Sequence, residues 1–337
     1  MALRSLSVFD HWAQNACILP KAPALEWPEG QMTYSQLVKE SQAVAAGLQD
    51  QGIKYGDRVA VMARNVPHFF PLLGAASLIG AVLVLVNRRL STEEIKVILD
   101  DTSPKIMVYE DVQREDLASI LDQCSSLQTR IVLGQAQPGE LAYADLLQAG
   151  LAYPVLVAAH APYAIIHTAA VQGRPRGAVL SQENLILAGL QLTHAFGLQE
   201  QDACLNILPL YHIMGLNLAL AASLGRGKNI LLPQFDAALG AELIASHQAT
   251  VFGSFPPILS QLMEAMDKEN TDTSTLRHVI GLENPETAEK WESRTGSTFW
   301  TMYGQTETFE EIQEHLRRTG QVGGVDGKKK EIISEWI

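Results

Sequence analysis

Residues 165–185, IIHTAAVQGRPRGAVLSQENL, carry the outline of an anion-binding turn. An apolar strand leads into a segment punctuated by Gly173, Pro175 and Gly177, and Ser181 marks the start of a helix. A turn of this kind cradles phosphate when glycine lets backbone N–H groups point inward at positive φ and hydroxyls donate to the phosphate oxygens. Here Ala169, Ala170, Val171 and Gln172 stand where such a cradle wants glycines and hydroxyls. An alanine held left-handed costs about 1–2 kcal/mol, and valine offers no donor. Each lost hydrogen bond to a charged oxygen is worth about 1.5–3 kcal/mol, so two or three losses weaken phosphate binding by several orders of magnitude. Arg176 supplies a cation, as a planar fork rather than a point charge. The plain alternative is a surface loop between strand and helix.

Two other stretches hold groups that could do chemistry. His212 lies in ILPLYHIMGLNLALA, where a lone histidine on an apolar run is more often a satisfied core residue than a site group. TFWTMYGQTET reads as a strand ending at a glycine turn, with the Thr306 hydroxyl and the Glu307 carboxylate following it.

These groups need a scaffold, and the composition provides for one. The chain has 337 residues, 47% of them hydrophobic, enough to bury a sizeable core in one large or two ordinary domains. Its 25 basic and 37 acidic side chains give a net charge of −12, which repels nucleic acid over the surface as a whole. The Lys328–Lys330 run reads as a solvated face. Cys17, Cys124 and Cys204 are odd in number and widely spaced, against both a disulfide framework and a zinc knuckle, and a reducing cytoplasm fits them best. The N-terminus lacks the apolar core and cleavage site of a signal peptide. Phe69 to Val86 is uncharged and imitates a membrane span, but Pro71, Gly74 and Gly80 interrupt it, so a short buried helix running into a buried strand is expected, with no transmembrane segment.

The pattern along the chain alternates helices and strands. After a hairpin-like turn at Trp27, Thr33 and Gln36 form a capping-box pattern that opens a helix ended by Gly52, and DRVAVMA follows as a strand. A helix near 67–79, a strand at 82–86, a second capping box at Ser91 and Glu94 opening TEEIKVILDDT, and the strand KIMVYE continue the series. Residues 113–160 are less regular, with YADLLQAG as a short helix, and are expected to connect two lobes. Strands are then expected at 163–168, 204–208, 229–233, 249–255, 278–281 and 298–304. Helices are expected at 183–196, after Met214, and at 238–246, 257–266 and 285–294. Near-continuous apolar strands between helices indicate an α/β fold with mostly parallel sheets.

In these elements several ordered motifs bear a resemblance. MTYSQL…GIKYGDRVAVMARN…LLGAASLIGAVLVLVN, with its turn at Gly56 and Asp57 and with Asn87 closing a buried strand, the HTAAVQGRPRG…SQEN stretch, ILPLYHIMG, GSFPPILSQLM, VIGLENP and TMYGQTET occur in family order. From about Thr33 to Thr308 the chain resembles the AMP-forming acyl-CoA synthetases and related adenylate-forming enzymes, which include luciferases and nonribosomal-peptide adenylation domains. The resemblance implies a large N-terminal adenylate-forming domain: a first α/β lobe over 1–160 and a second over 161–318 holding the nucleotide and acyl pockets. The implied third β subdomain and small C-terminal domain are largely missing, with 319–337 a remnant of the ribose motif and hinge.

The resemblance also implies roles. Thr168, Gly173 and Arg176 occupy the phosphate-loop slots, and Gly281, Leu282 and Glu283 the adenine-contacting loop. Tyr303 would stack on adenine and Gly304 turn the chain. Thr306 would meet the α-phosphate, and Glu307 would hold Mg²⁺ against the leaving pyrophosphate. His212 would stand at the entrance of an acyl pocket walled by Phe255 and Pro256, and Gln321 would take the place of the ribose-binding aspartate, without its charge. Catalysis would fall to Thr168, Arg176, His212 and Glu307, with ATP or AMP, Mg²⁺ and coenzyme A as cofactors and a small carboxylic acid or acyl thioester as substrate. The tail after Tyr303 is too short for the family's C-terminal lysine domain, which implies a homodimer or a partner supplying it. Two functions are then expected. One is an acid–CoA ligase impaired by its stripped loop; the other is a non-catalytic acyl- or adenylate-binding descendant or partner subunit.

Overall fold

The computed structural model describes residues 7–150, 152–168, 175–269 and 271–312. β1 (Pro23–Trp27) and β2 (Gly30–Thr33) form an N-terminal hairpin. The following strands are β3 (Arg58–Met62), β4 (Val82–Leu85), β5 (Ile106–Glu110), β6 (Thr129–Leu133), β7 (Leu141–Ala142), β8 (Pro162–Thr168) and β9 (Arg176–Ser181). They build a seven-stranded sheet in the order β7-β6-β5-β3-β4-β8-β9, parallel except at β8–β9. β10 (Ala203–Asn206), β11 (Lys228–Leu231), β12 (Val251–Ser254), β13 (His278–Gly281), β14 (Thr298–Gln305) and β15 (Thr308–Ile312) join the N-terminal hairpin in an eight-stranded sheet of order β15-β14-β13-β12-β10-β11-β1-β2.

Both sheets are buried on both faces, which is why their strands are apolar without alternation. In the first sheet Val59, Val61, Leu83 and Leu85 face a core shared with helices Tyr34–Asp50 and Phe69–Ile79 and with Leu25 and Leu231 of the second sheet. Ala60, Met62, Val84 and Val86 point the other way, onto helices Thr92–Thr102 and Arg114–Leu121. Leu205, Phe252 and Val279 of the second sheet pack beneath helices Ala237–Ser246 and Ile258–Glu269. The result is a layered αβαβα arrangement.

The expected α/β class with two mostly parallel sheets stands. Both capping boxes form, Thr33 with Gln36 and Ser91 with Glu94. The uncharged run 69–86 becomes the fully buried helix Phe69–Ile79 and then β4, and among the described residues no helix is long and apolar enough to cross a membrane.

Three expectations change. RGAVLS is a strand: β9 pairs antiparallel with β8, so strand–loop–helix becomes strand–loop–strand–helix, with Ser181 still the N-cap. Residues 113–160 are not simply a connector, since helix Arg114–Leu121, β6 and β7 extend the first sheet. The sheets also exchange strands across the expected boundary at 160/161: β1 pairs parallel with β11, and β8 with β4. Edge pairing decides all three, and no local pattern encodes it.

Candidate functional site

A cleft of about 740 Å³ opens beyond the carboxyl ends of the second sheet's strands, where open α/β sheets place ligands. Ile207 and Leu208 follow β10, Pro233 follows β11, Phe255 and Pro256 follow β12, Leu282 follows β13, and Met302, Gly304 and Thr306 come from the end of β14 and the turn after it. Arg64, Asn65, Arg88 and Arg89 enter from the first sheet, so both sheets build the site.

The segment before His212 is fixed by a residue far away in sequence. Asn65, 3% exposed, donates from Nδ2 to the Asn206 carbonyl at 2.7 Å and the Leu208 carbonyl at 3.0 Å. Its Oδ1 accepts from the Leu210 N–H at 2.9 Å. Gly215 closes the turn because a Cβ there would stand 2.3 Å from the Pro209 carbonyl oxygen. His212 then occupies the N-cap of helix Ile213–Leu224 without a side-chain cap bond, its ring 4.8 Å from that of Tyr211. It is exposed on the cleft side yet walled by protein elsewhere. That partial burial, reinforced by the positive charge of Arg89, holds its pKa below the ordinary histidine value and favours neutral imidazole.

The arginines differ in their partners. Arg64 donates from its backbone N–H and its guanidinium to buried Glu110, at 2.7 and 2.8 Å, which neutralises it. Arg88 and Arg89 form no ion pair among the described residues, and Arg88 Nε is buried without a hydrogen-bond partner. Among the described residues the cleft therefore presents unpaired positive charge, in a chain of net charge −12.

The structure brings together most of the residues singled out in the sequence. Phe255, Pro256, Leu282, Gly304, Thr306 and His212 line the cleft. Next to Thr306, Thr168 Oγ1 donates to Glu307 Oε1 at 3.3 Å, joining two motifs 139 residues apart. Arg176 is exposed and pairs with Thr168 through the β8–β9 ladder. Gly281 approaches β12 so closely that a Cβ would lie 1.8 Å from the Ser254 carbonyl oxygen, and only glycine fits. Glu283 stands apart from the cleft lining, with Oε1 accepting from the Asn284 N–H at 2.9 Å. Tyr303 belongs to β14 by its backbone. Gly173 and Gln321 lie outside the described residues.

Among the described residues no group of three or more His, Cys, Asp or Glu side chains could hold a metal by itself. A lone exposed carboxylate such as Glu307 fits the other mode, in which Mg²⁺ takes one or two carboxylates and completes its shell with phosphate oxygens and water. Asn65, Arg88 and Arg89 join the site without having stood out in the sequence. Arg88 and Arg89 could have been noticed as paired cations at the end of a buried strand, whereas Asn65 carried no local signal.

The model of the AMP-binding enzyme family matches residues 11–322. An indoleacetate–CoA ligase of Aromatoleum aromaticum is 27% identical over 301 residues, covering 88% of this chain and 59% of the relative. A 2-succinylbenzoate–CoA ligase of Bacillus thuringiensis is 26% identical, covering 91% of this chain and 61% of the relative. The chain thus spans about six tenths of the length of these curated relatives. A Rhodopseudomonas palustris protein described as a long-chain-fatty-acid CoA ligase superposes with a TM-score of 0.87 at 31% identity, over 94% of this chain and 80% of that one.

Proposed function

The chain belongs to the AMP-binding enzyme family, and from that premise we propose that it is the substrate-binding part of an AMP-forming carboxylate–CoA ligase. The observation that carries this reading is the contact of Thr168 with Glu307, next in the chain to Thr306, which lines a cleft together with His212. It supports a reading in which phosphate-handling groups gather beside Thr306 and the acid occupies the apolar part of the cleft. Tyr211, Phe235 and Phe255 give that pocket aromatic walls, which suit an aromatic or fatty acyl group such as the relatives' names describe.

In the proposed reaction a carboxylate oxygen of the acid attacks the α-phosphorus of ATP, the bond to the β-phosphate oxygen breaks, and acyl-adenylate and pyrophosphate form. The sulfur of coenzyme A then attacks the acyl carbonyl, and AMP leaves. Thr306 donates to the α-phosphate, Tyr303 and the Gly281–Glu283 loop receive adenine, and Arg176 with Thr168 stabilises the charge that develops at phosphorus. Glu307 would hold Mg²⁺, which when bound neutralises the pyrophosphate. His212, neutral, shapes the acyl entrance, and Arg88 and Arg89 attract the anionic acid or carrier. The three free cysteines fit a cytoplasmic protein.

A second reading, a binding protein or partner subunit without turnover, is favoured by Ala169–Gln172 alone, which remove phosphate donors. Pyrophosphate exchange into ATP over a panel of fatty and aromatic acids, with calorimetric titration of AMP, separates the two. AMP binding with acid-dependent exchange is the expected result. Binding without exchange selects the second reading, and absence of both overturns the nucleotide site altogether.

A further inference from the structure

A second cavity, of about 200 Å³, lies between β9, helix Gln182–Ala195 and helix Ile213–Leu224. Leu180, Leu185, Ala188 and Ile213 wall it, and Thr306 and Glu307 border it. Ile213 and Thr306 also line the main cleft, so the two spaces meet at the end where the reacting carboxyl would sit. Asn217 reaches this cavity from the helix interior. It is 2% exposed, and its Oδ1 has no hydrogen-bond partner among the described residues. A buried amide oxygen left unpaired among apolar walls is unfavourable and uncommon. The other amide at the cavity is already engaged, since Asn184 Oδ1 accepts from the Ser181 N–H at 3.0 Å and the Ser181 hydroxyl at 2.8 Å. The volume is below that of a pocket for a whole drug-sized ligand and suits a short branch.

We propose that this side pocket admits a hydroxyl-bearing branch of the acyl group close to its carboxyl, with Asn217 Oδ1 accepting the hydroxyl's hydrogen bond. Asn217 is then a specificity-determining residue that selects hydroxy acids over their deoxy counterparts. The inference rests on the adenylate reading above, because that reading sets the carboxyl at Thr306 and Glu307. Calorimetry with two hydrolysis-resistant acyl sulfamates of adenosine, one carrying a butanoyl and one a 3-hydroxybutanoyl group, tests it on the full chain, with AMP titrated in parallel. The hydroxylated ligand is expected to bind at least about tenfold more tightly, about 1.4 kcal/mol. Asn217→Leu, of similar volume, should remove the preference by weakening only that ligand, while AMP affinity holds. Asn217→Ala should do the same and covers the case in which leucine disturbs the helix. Equal affinities for the pair with normal AMP binding overturn the side pocket and leave the adenylate reading intact. A preference that survives both substitutions also overturns it. Loss of AMP binding in the natural chain removes the adenylate reading and this inference together.

Discussion

The two ends of the cleft are built differently. At the end proposed to take the acid the side chains belong to the core: Leu210 and Tyr211 are buried, Asn65 ties three backbone groups of the neighbouring segment, and Gly215 leaves no room beside the Pro209 carbonyl. At the end proposed to take phosphate Arg176, Gly304, Gln305 and Glu307 are exposed, Thr168 is half-buried, and one 3.3 Å contact joins the two motifs. A change at the first end is expected to disturb the fold, and a change at the second to leave the fold intact. Stripped phosphate donors can therefore coexist with an intact architecture, and a sound core is no measure of nucleotide binding.

Three measurements can break or sharpen that contrast. The largest effect is expected from Asn65→Ala, which strips two buried carbonyls and one buried N–H of their partner. A loss of about 3 kcal/mol in urea unfolding is expected, from about 1–3 kcal/mol for each unsatisfied buried group with partial relaxation. A change under about 0.5 kcal/mol, the range of ordinary surface substitutions, would mean that the acid end is not braced as described. Next comes the triple change Ala170→Gly, Val171→Thr and Gln172→Thr. It should raise ATP affinity at least about tenfold, one charged hydrogen bond's worth, and leave the unfolding midpoint nearly unmoved. Unchanged affinity in calorimetry would show that the loop is not the limiting defect.

The smallest effect is a pH dependence. Burial is the chief cause holding His11, His68, His212 and His278 below the ordinary histidine pKa. The unfolded chain then binds more protons than the folded one once pH drops through about 6.5, so stability is complete above that value and falls below it. The melting midpoint should decline between about pH 7.5 and 5.5, before most carboxylates titrate. His212→Gln should make the decline slightly shallower, and an identical slope would show that His212 is as solvated as the phosphate end.

Much of this was legible in the chain itself. His212, Phe255, Thr306 and Glu307 sit in motifs whose local spacing fixes their place at strand ends, and the structure puts all four at the cleft or its border. Capping at Thr33, Ser91 and Ser181 was readable because a helix start depends on residues three apart. β9 was not readable: six residues after a turn become a strand only because β8 offers an edge. Asn65 escaped because its partners lie about 140 residues away. The positive character of Arg88 depends on the absence of a carboxylate partner among the described residues, which no sequence window contains.

The exchanged strands also bear on how the molecule comes into being. β1 pairs with β11, so Leu25 finds Asn229 about two hundred residues later in the chain. At roughly 5–20 residues per second, the first hairpin leaves the ribosome roughly 10–40 s before the strand that receives it. Through that interval Ala24 and Leu25 can pack on the first sheet's core, but the outer edge of β1 has no strand to pair with, and the nascent chain carries an open edge that a neighbouring chain can capture.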